Sequence, residues 1–362
     1  MTSGPLAGVR LIEMDAIGPV PLCGMVLSAL GAEILRISRP GGQPVWTDIG
    51  NAVVLRGRTN LELNLKREAD RTTFLKFVEH SDGLMEGGRP GVMERLGVGP
   101  DVCLAANPRL IYGRMTGWGQ EGPLRMTAGH DINYIAMTGA LHAIAQKGAS
   151  PTVPLNLIGD YAGGTMFLAM GMLSALISAR ATGKGQVVDV AIVDGVVNLL
   201  GMFHAYLATG TWNDAPACNI LDGAAPFYRC YECKDGKFIA VGALEPQFFA
   251  LLLSGLNIPA DRFDQNDISH WPAMTDLFAE TFRTATRDHW EAKFAGTDAC
   301  VSPVLSLLEA MDHPSNQARG LFVRQSGVRQ AAPAPRFSQT PAAIAANHTT
   351  TAKEMLERWQ IR

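Results

Sequence analysis

The chain of 362 residues is long enough for two domains with separate hydrophobic cores, because domains average about 150 residues. Hydrophobic residues make up 47% and charged residues 18%, which is typical of a globular chain and excludes a disordered one. The net charge is −3, so no overall positive field is available to hold a nucleic acid or an anionic membrane. A polyanionic ligand must therefore bind at a local basic patch.

The cysteine pattern favours a reducing compartment. Six cysteines are scattered along the chain without the spacing of a disulfide framework: Cys23, Cys103, Cys218, Cys230, Cys233 and Cys300. Neither end matches a secretory leader or a sorting tail. We therefore expect a cytoplasmic protein.

The first half of the chain alternates short apolar runs with helical segments, which is typical of a parallel α/β layer. Strands are predicted at Val9–Met14, Glu33–Ile37, Gly83–Glu86 and Leu110–Met115. Helical segments are predicted at Pro19–Leu30 and Val92–Leu96. The turn after Gly18 lacks the Gly-x-Gly-x-x-Gly fingerprint, so the sequence does not predict a dinucleotide site.

Tyr161–Ala179 carries no charge and has nearly the length of a membrane span. Its glycines and serines, and the lack of a second such segment, favour the buried central helix of a domain instead. Asp160 before it and Arg180 after it suit the two ends of a helix dipole. A strand from Gly183 and an apolar helix reaching about Leu207 are predicted to follow.

The second domain is predicted to open with a β-hairpin near Pro226. Its strands, Phe227–Cys233 and Lys237–Val241, flank a Lys-Asp-Gly turn. Pro246 at a first helical position places Glu245 at the N-cap of a helix that ends near Gly255. A further helix is predicted at Thr286–Phe294, and Gln330–Pro341 reads as an extended return segment.

Cys230 and Cys233 have the spacing of half a zinc site, but no second Cys or His pair completes it. On a hairpin strand, a period of two places one of the thiols on the core face. Ordinary packing explains the pair, and no metal site is predicted.

Two glycine-containing segments each place an ionisable group at a predicted helix start. Gly129-His-Asp-Ile-Asn-Tyr134 opens one helix, and Leu155-Asn-Leu-Ile-Gly-Asp160 opens the central one. Taken alone, His130 is interpreted as a structural histidine and Asp160 as an N-cap. Together they indicate a site where backbone amides can hold an oxyanion.

These two segments also carry a family resemblance, together with Glu86-Gly-Gly-Arg-Pro-Gly91, Arg114-Met-Thr-Gly-Trp-Gly-Gln120 and Gly183-Lys-Gly-Gln-Val-Val-Asp189. The chain resembles the family III CoA-transferases and, within them, the α-methylacyl-CoA racemases of the bacterial type. The resemblance extends from Leu6 to about Phe337.

The resemblance implies an α/β fold with a Rossmann-like large domain and a smaller α+β domain, assembled as an interlocked homodimer. The corresponding boundaries are 1–185 for the large CoA-binding domain, 186–224 for connecting helices, 225–310 for the small domain and 311–362 for a return segment to the large domain.

The implied reaction interconverts (R)- and (S)-2-methylacyl-CoA thioesters through an enolate, with His130 and Asp160 on opposite sides of the α-carbon. Glu245 stands at the family position that bonds the catalytic histidine, and Asn156 at the one that supports the aspartate. CoA is part of the substrate, and neither a metal nor a further cofactor is implied.

Two bases that share one proton titrate as a pair. From reference values, the proton prefers His over Asp by about 2.6 pKa units, roughly 3.5 kcal/mol. Burial penalises the ion pair relative to the neutral pair, so it brings the two states closer. The amides at the helix start of Asp160 are expected to hold the enolate oxygen.

The partners implied by the resemblance are an acyl-CoA and a second copy of the chain, without nucleic acid or a membrane span. Residues at its CoA-contacting positions are Arg39, Lys66, Gly87, Gly88, Arg89, Arg95, Gly129, Asp131 and Tyr134, with Arg56 and Arg58 as weaker candidates.

Two alternatives stay open at this point. One is CoA transfer with Asp160 as nucleophile; such transferases carry a glycine-rich loop where this chain has Val241-Gly-Ala-Leu-Glu-Pro246. The other is a CoA-binding regulatory module without turnover. The acyl group is left undetermined among branched fatty acyl, sterol side-chain and aryl-propionyl groups.

Overall fold

The structure, a computed structural model, describes residues 4–41 and 53–362, and its contacts divide the chain into two compact units. The large unit comprises the residues up to Thr138, Pro154–Leu200 and Gln317–Arg362. The small unit comprises Gly139–Val153 and Gly201–Asn316.

A parallel sheet of seven strands forms the centre of the large unit, in the order β12-β3-β2-β1-β4-β5-β6. Its central strands are largely buried because helices cover a parallel sheet on both faces. The strands are β1 (Arg10–Met14), β2 (Glu33–Ser38), β3 (Arg58–Glu62), β4 (Gly83–Glu86), β5 (Ile111–Thr116), β6 (Gln186–Ala191) and β12 (His348–Thr349).

Helices and one hairpin complete the large unit. The hairpin pairs β10 (Phe322–Gln325) with β11 (Val328–Ala331). The α-helices are Pro19–Ala29, Glu68–Glu79, Val92–Arg95, Pro100–Ala106, Asp131–Met137, Phe167–Thr182, Ile192–Leu199 and Ala352–Trp359, and Leu157–Met166 is a π-helix. The last α-helix packs on the core through an edge-to-face contact between Trp359 and Phe77.

The small unit has an antiparallel sheet of β7 (Tyr228–Glu232), β8 (Phe238–Gly242) and β9 (Val301–Pro303). An aromatic core supports it, in which Tyr231 stacks on Phe282 at 5.1 Å between ring centroids. The α-helices are Ala140–Ala143, Gly201–Ala208, Pro246–Gly255, Trp271–Phe282, Arg287–Phe294 and Leu307–Asp312, with a 3₁₀ turn at Ile268–His270; the helix Pro314–Arg319 spans the unit boundary.

Most of the predicted elements are confirmed, including the strands of the first half and the hairpin. Cys233 is buried and Cys230 exposed, as the period of two requires. The helix Pro246–Gly255 begins at the predicted N-cap, Glu245.

The division into units differs from the predicted boundaries. Segment 186–224 was expected to be a connection, but Gln186–Ala191 pairs with β5 along its whole length and so completes the large sheet. The helix Ile192–Leu199 also belongs to the large unit, and the small unit begins again at Gly201. Because β6 is hydrogen-bonded to β5, it belongs to the same unit as β5. The boundary between the two units therefore lies after β6.

The central helix predicted to lie in the domain core has one buried face and one exposed face. Residues 157–182 form one helical segment of 26 residues that is apolar and long enough for a membrane span, with 50% of its most apolar window buried. Leu168, Met172 and Leu176 lie on the buried face. On the opposite face Met170 is 55% and Ile177 70% exposed.

Candidate active site

The π-helix Leu157–Met166 carries Asp160 in its first turn, and glycines allow it to pack closely. A methyl group added at Gly195 would lie 2.0 Å from the carbonyl oxygen of Gly163, and one at Gly164 would lie 3.0 Å from Pro19. The π-helix therefore lies against both the helix Pro19–Ala29 and the helix Ile192–Leu199. Such helices are rare and occur frequently at functional sites.

Asp160 is not the N-cap that the sequence predicts, because that position belongs to Asn156. The extra turn of π-helix before the α-helix places the carboxyl inside the first turn. There the Asn156 amide donates to Asp160 Oδ2 at 3.4 Å. A methyl group added at Gly18 would lie only 3.5 Å from the same oxygen.

The environment of Asp160 raises the pKa of its carboxyl. Burial is the main cause, and the negative charge of Asp131 adds to it. The hydrogen bond from Asn156 and the positive charge of protonated His130 oppose the rise. The direction agrees with the expectation that burial brings the two protonation states of the pair closer.

His130 is exposed at the N-cap of the helix Asp131–Met137. Its backbone N–H donates to Asn133 Oδ1 at 3.1 Å. The Tyr134 hydroxyl donates to the carbonyl of Gly129, and its ring meets Trp118 edge-to-face at 4.8 Å between centroids. The imidazole is thus carried by a backbone segment that is anchored on both sides.

Asp131 joins the two helix starts. Its side chain is 5% exposed, and Oδ2 accepts the backbone N–H of Asp160 at 2.7 Å. The amides at this helix start were expected to hold the enolate oxygen. For the N–H of Asp160 that expectation is wrong, because this donor is already bonded to a buried carboxylate.

A cavity of about 730 Å³ lies at the carboxyl ends of β1 to β4. Arg39, Lys66 and Gly87 are among its lining residues. The chain reverses its strand order between β1 and β4, and ligands of open α/β sheets bind at such a point. Gly88, Arg89 and Arg95, predicted at the same site, are not among the lining residues of this cavity.

The remaining predicted contacts, Gly129, Asp131 and Tyr134, belong to the segment around His130. Burial raises the pKa of the Tyr134 phenol, the charge of Asp160 adds to the rise, and the charge of Arg89 opposes it. Arg89 is therefore close enough to act on this segment, although it does not line the cavity.

Sequence reasoning missed a charged network beneath the glycine turn that follows β4. Glu86 Oε2 accepts a hydrogen bond from the backbone N–H of Gly88 at 2.6 Å. Its other oxygen, Oε1, accepts one from Nε of Arg114 at 3.0 Å. Arg114 also contacts Glu94 at 2.8 Å. Two of the family-like motifs therefore meet here, and a charged residue inside an apolar strand was the signal that could have revealed it.

The weaker candidates Arg56 and Arg58 are excluded as CoA contacts by their burial. Arg58 is fully buried and pairs with Glu13 at 3.0 Å. Arg56 donates to Gln330 Oε1 at 2.6 Å. Both side chains hold the large unit together instead of facing a ligand.

Glu245 is exposed in the small unit, at the N-cap of the helix Pro246–Gly255. Its contact with a catalytic histidine stays a prediction. Within residues 4–41 and 53–362, no three His, Cys, Asp or Glu side chains gather as a metal ion would require.

The family model described as CoA-transferase family III matches residues 6–350. The chain belongs to CoA-transferase family III. Among family III relatives it is 41% identical over 351 residues to alpha-methylacyl-CoA racemase of Mus musculus, covering 96% of this chain and 91% of that protein. Its identity to alpha-methylacyl-CoA racemase of Homo sapiens is 40%, covering 93% and 87%.

A solved family III fold agrees with the architecture. The crystal structure of a CAIB/BAIF family protein from Brucella suis superposes with a TM-score of 0.84 at 23% identity, covering 99% of this chain and 100% of that one. At this identity the likeness concerns the fold alone.

Proposed function

We propose that this chain is a racemase that interconverts (R)- and (S)-2-methylacyl-CoA thioesters by two-base proton transfer through an enolate. The observation that carries the proposal is the hydrogen bond that the backbone N–H of Asp160 donates to Asp131. Asp131 is the chain neighbour of His130. This bond brings a histidine and a carboxyl of raised pKa into one site. Identity of about 40% to two racemases supports the same reaction.

In one direction neutral His130 removes the α-proton and the Asp160 carboxylic acid returns a proton to the opposite face. In the reverse direction the Asp160 carboxylate is the base and protonated His130 the acid. The raised pKa of Asp160 favours its acid form more than that of an exposed aspartate, which supports proton transfer in both directions. Asn156 orients the carboxyl through its hydrogen bond.

Developing charge on the thioester oxygen needs hydrogen-bond donors, since general acid–base chemistry alone leaves the enolate unstabilised. The amide of Asp160 is occupied by Asp131, and that of His130 donates to Asn133. We therefore assign enolate stabilisation to the backbone N–H groups of Gly129 and Asp131. In this proposal Gly129 and Asp131 lie against the thioester.

The CoA moiety is assigned to the cavity at the carboxyl ends of β1 to β4. Arg39 and Lys66 supply positive charge for its phosphates, and Gly87 lets the chain pass close to it. Arg89 and Arg95, which are exposed, are assigned to the outer part of the same ligand. Neither a metal nor a separate cofactor takes part in this scheme.

We further propose that the active form is an interlocked homodimer in the cytoplasm, in which Glu245 of one chain supports His130 of the other. A dimer that combines a His130→Ala chain with a Glu245→Ala chain then has both lesions in one site and leaves the other intact. Co-expression with two tags and isolation of the mixed dimer is expected to give about half of the wild-type activity. Activity no higher than that of the single variants would refute the shared site.

The reaction itself is tested by proton NMR of (S)- and (R)-2-methylacyl-CoA with the protein in D2O. Racemisation gives deuterium at the α-carbon together with epimerisation, from either epimer. A regulatory CoA-binding module gives neither. A transferase instead moves CoA to an added carboxylic acid, and transfer without α-exchange would replace the proposal.

A further inference from the structure

We propose that Asp131 is the positioning residue that sets Asp160 against His130, holding the backbone of Asp160 through its buried carboxylate. This inference rests on the proposed racemase function. It concerns the side chain of Asp131, whereas the predicted contact with the thioester concerns the backbone of the same segment.

The geometry of the bond carries the first part of the argument. The first amides of any helix have no acceptor within that helix, and those of Gly159 and Asp160 lie in the first turn of the π-helix. Oδ2 of Asp131 accepts that of Asp160 at 2.7 Å, and the same carboxylate lies against Gly159. Because Asp131 follows His130 directly in the chain, the carboxylate links the backbones of the two proton-transfer residues.

The fit around the carboxylate is close. A methyl group added at Gly159 would lie 2.6 Å from Oδ2 of Asp131, so a side chain there would have to displace the carboxylate. The other oxygen, Oδ1, is buried and has no hydrogen-bond partner among the described residues. A buried acceptor without a partner destabilises a fold, so packing alone does not explain an acid at this position.

The charge of Asp131 gives it a second effect on the same residue. The groups that act on the Asp160 carboxyl are Asn156, Asp131 and His130, and the carboxyl in turn acts on Tyr134. Gly18, which faces it from the helix Pro19–Ala29, is uncharged. The helix Ile192–Leu199 carries one acidic residue, Asp194, at its first turn.

The sign of the charge effect follows from like-charge repulsion. A negative Asp131 opposes ionisation of Asp160 and raises its pKa, in addition to burial. Removing that charge lowers the pKa of Asp160. The acidic limb of kcat/KM, which reports the first ionisation of the catalytic pair, then moves to lower pH.

The experiment compares Asp131→Asn and Asp131→Ala with the wild type in the D2O assay, over pH and with both epimers. Asp131→Asn keeps an acceptor oxygen and is expected to shift the acidic limb to lower pH. Asp131→Ala removes the acceptor of the Asp160 amide and is expected to lower kcat roughly 10- to 100-fold, with little change in KM for acyl-CoA.

Asp82→Asn is the matched control, since Asp82 accepts the N–H of Arg10 at 2.8 Å at the opposite, amino-terminal end of the sheet. It removes a comparable carboxylate, and we expect it to leave the pH profile unchanged. If the role of Asp131 were purely structural, Asp131→Asn and Asp131→Ala would have lower thermal stability, but the acidic limb of kcat/KM would stay at the wild-type pH.

The outcomes separate the two proposals. A wild-type protein that exchanges no α-proton overturns the racemase function and this inference with it. If the wild type racemises and Asp131→Asn has the same pH profile as the wild type, this inference is overturned while the racemase function stands. If Asp131→Ala does not fold, the Asp131→Asn profile decides by itself.

Discussion

Arg39→Ala and Lys66→Ala test whether the cavity at the carboxyl ends of β1 to β4 holds the CoA phosphates. Both side chains line the cavity and both are exposed. They are therefore solvated in the free protein, and they lose little hydration free energy when they pair with phosphate. Among the described residues that line the cavity, Asp15 is acidic, and it already pairs with Arg36. The other charged side chains of this described lining, Arg39 and Lys66, are positive.

A charge-assisted hydrogen bond to phosphate contributes about 1.5–3 kcal/mol. Loss of either side chain is thus expected to weaken acyl-CoA binding roughly 10- to 150-fold, with kcat nearly unchanged. Because the contacts are exposed, the effect becomes smaller as the salt concentration rises. Steady-state kinetics at two ionic strengths measure both quantities.

The matched substrate is an acyl-pantetheine, which lacks the nucleotide phosphates and is expected to respond to neither substitution. The matched protein control is Arg67→Ala, which removes an exposed cation next to Lys66 that does not line the cavity. Equal penalties on both substrates would refute a phosphate contact. An effect of Arg67→Ala as large as that of Lys66→Ala would mean that only overall charge matters.

Three further outcomes are expected. His130→Ala and Asp160→Ala each lower racemisation roughly 10²–10⁴-fold, whereas Asp160→Asn still permits exchange from the epimer that His130 faces. Gly195→Ala forces a methyl group to within 2.0 Å of a backbone oxygen and lowers the free energy of unfolding by about 1–3 kcal/mol or more in denaturant titrations. Arg58→Met removes the nearer of the two arginines that face the buried carboxylate of Glu13, leaving Arg36 at 4.0 Å, and costs about 3–5 kcal/mol, part of which is recovered by adding Glu13→Gln.

Each of these outcomes has a result that contradicts it. Equal loss of exchange from both epimers in Asp160→Asn argues against two independent faces and for a nucleophilic carboxylate. Gly201→Ala, where an added methyl group meets nothing within 4 Å, should be neutral, so equal effects at Gly201 and Gly195 would refute the packing argument. A double variant no more stable than Arg58→Met would show that Glu13 is not the source of the cost.

The sequence alone was sufficient to predict those elements whose local residue pattern agrees with their environment in the folded protein. The runs that become β1, β2 and β4 each contain neighbouring apolar residues, because both faces of a parallel sheet are covered, so this local pattern predicts them directly. The N-cap at Glu245 was equally local, since Pro246 fixes the first helical position. The motifs around His130 and Asp160 also sufficed to indicate the family, which the matched model confirms.

Tertiary contacts decided the elements whose sequence is locally ambiguous. β3 has the polar start Arg58-Thr-Asn60 and is a buried strand in which Arg58 pairs with Glu13 from a distant part of the chain. The central helix was predicted to lie in the core, yet apolarity does not tell which of its faces the sheet covers. Nor does periodicity distinguish a π-helical turn from an α-helical one.

The candidate site shows the same division. Its residue types could be taken from sequence, but the function of Asp131 depends on an amide 29 positions away. That amide was expected to serve the substrate until the fold placed a carboxylate on it. Local sequence determined which groups can transfer a proton, and the fold determined which donors remain free, because hydrogen-bond partners far apart in the chain meet only when the helices pack.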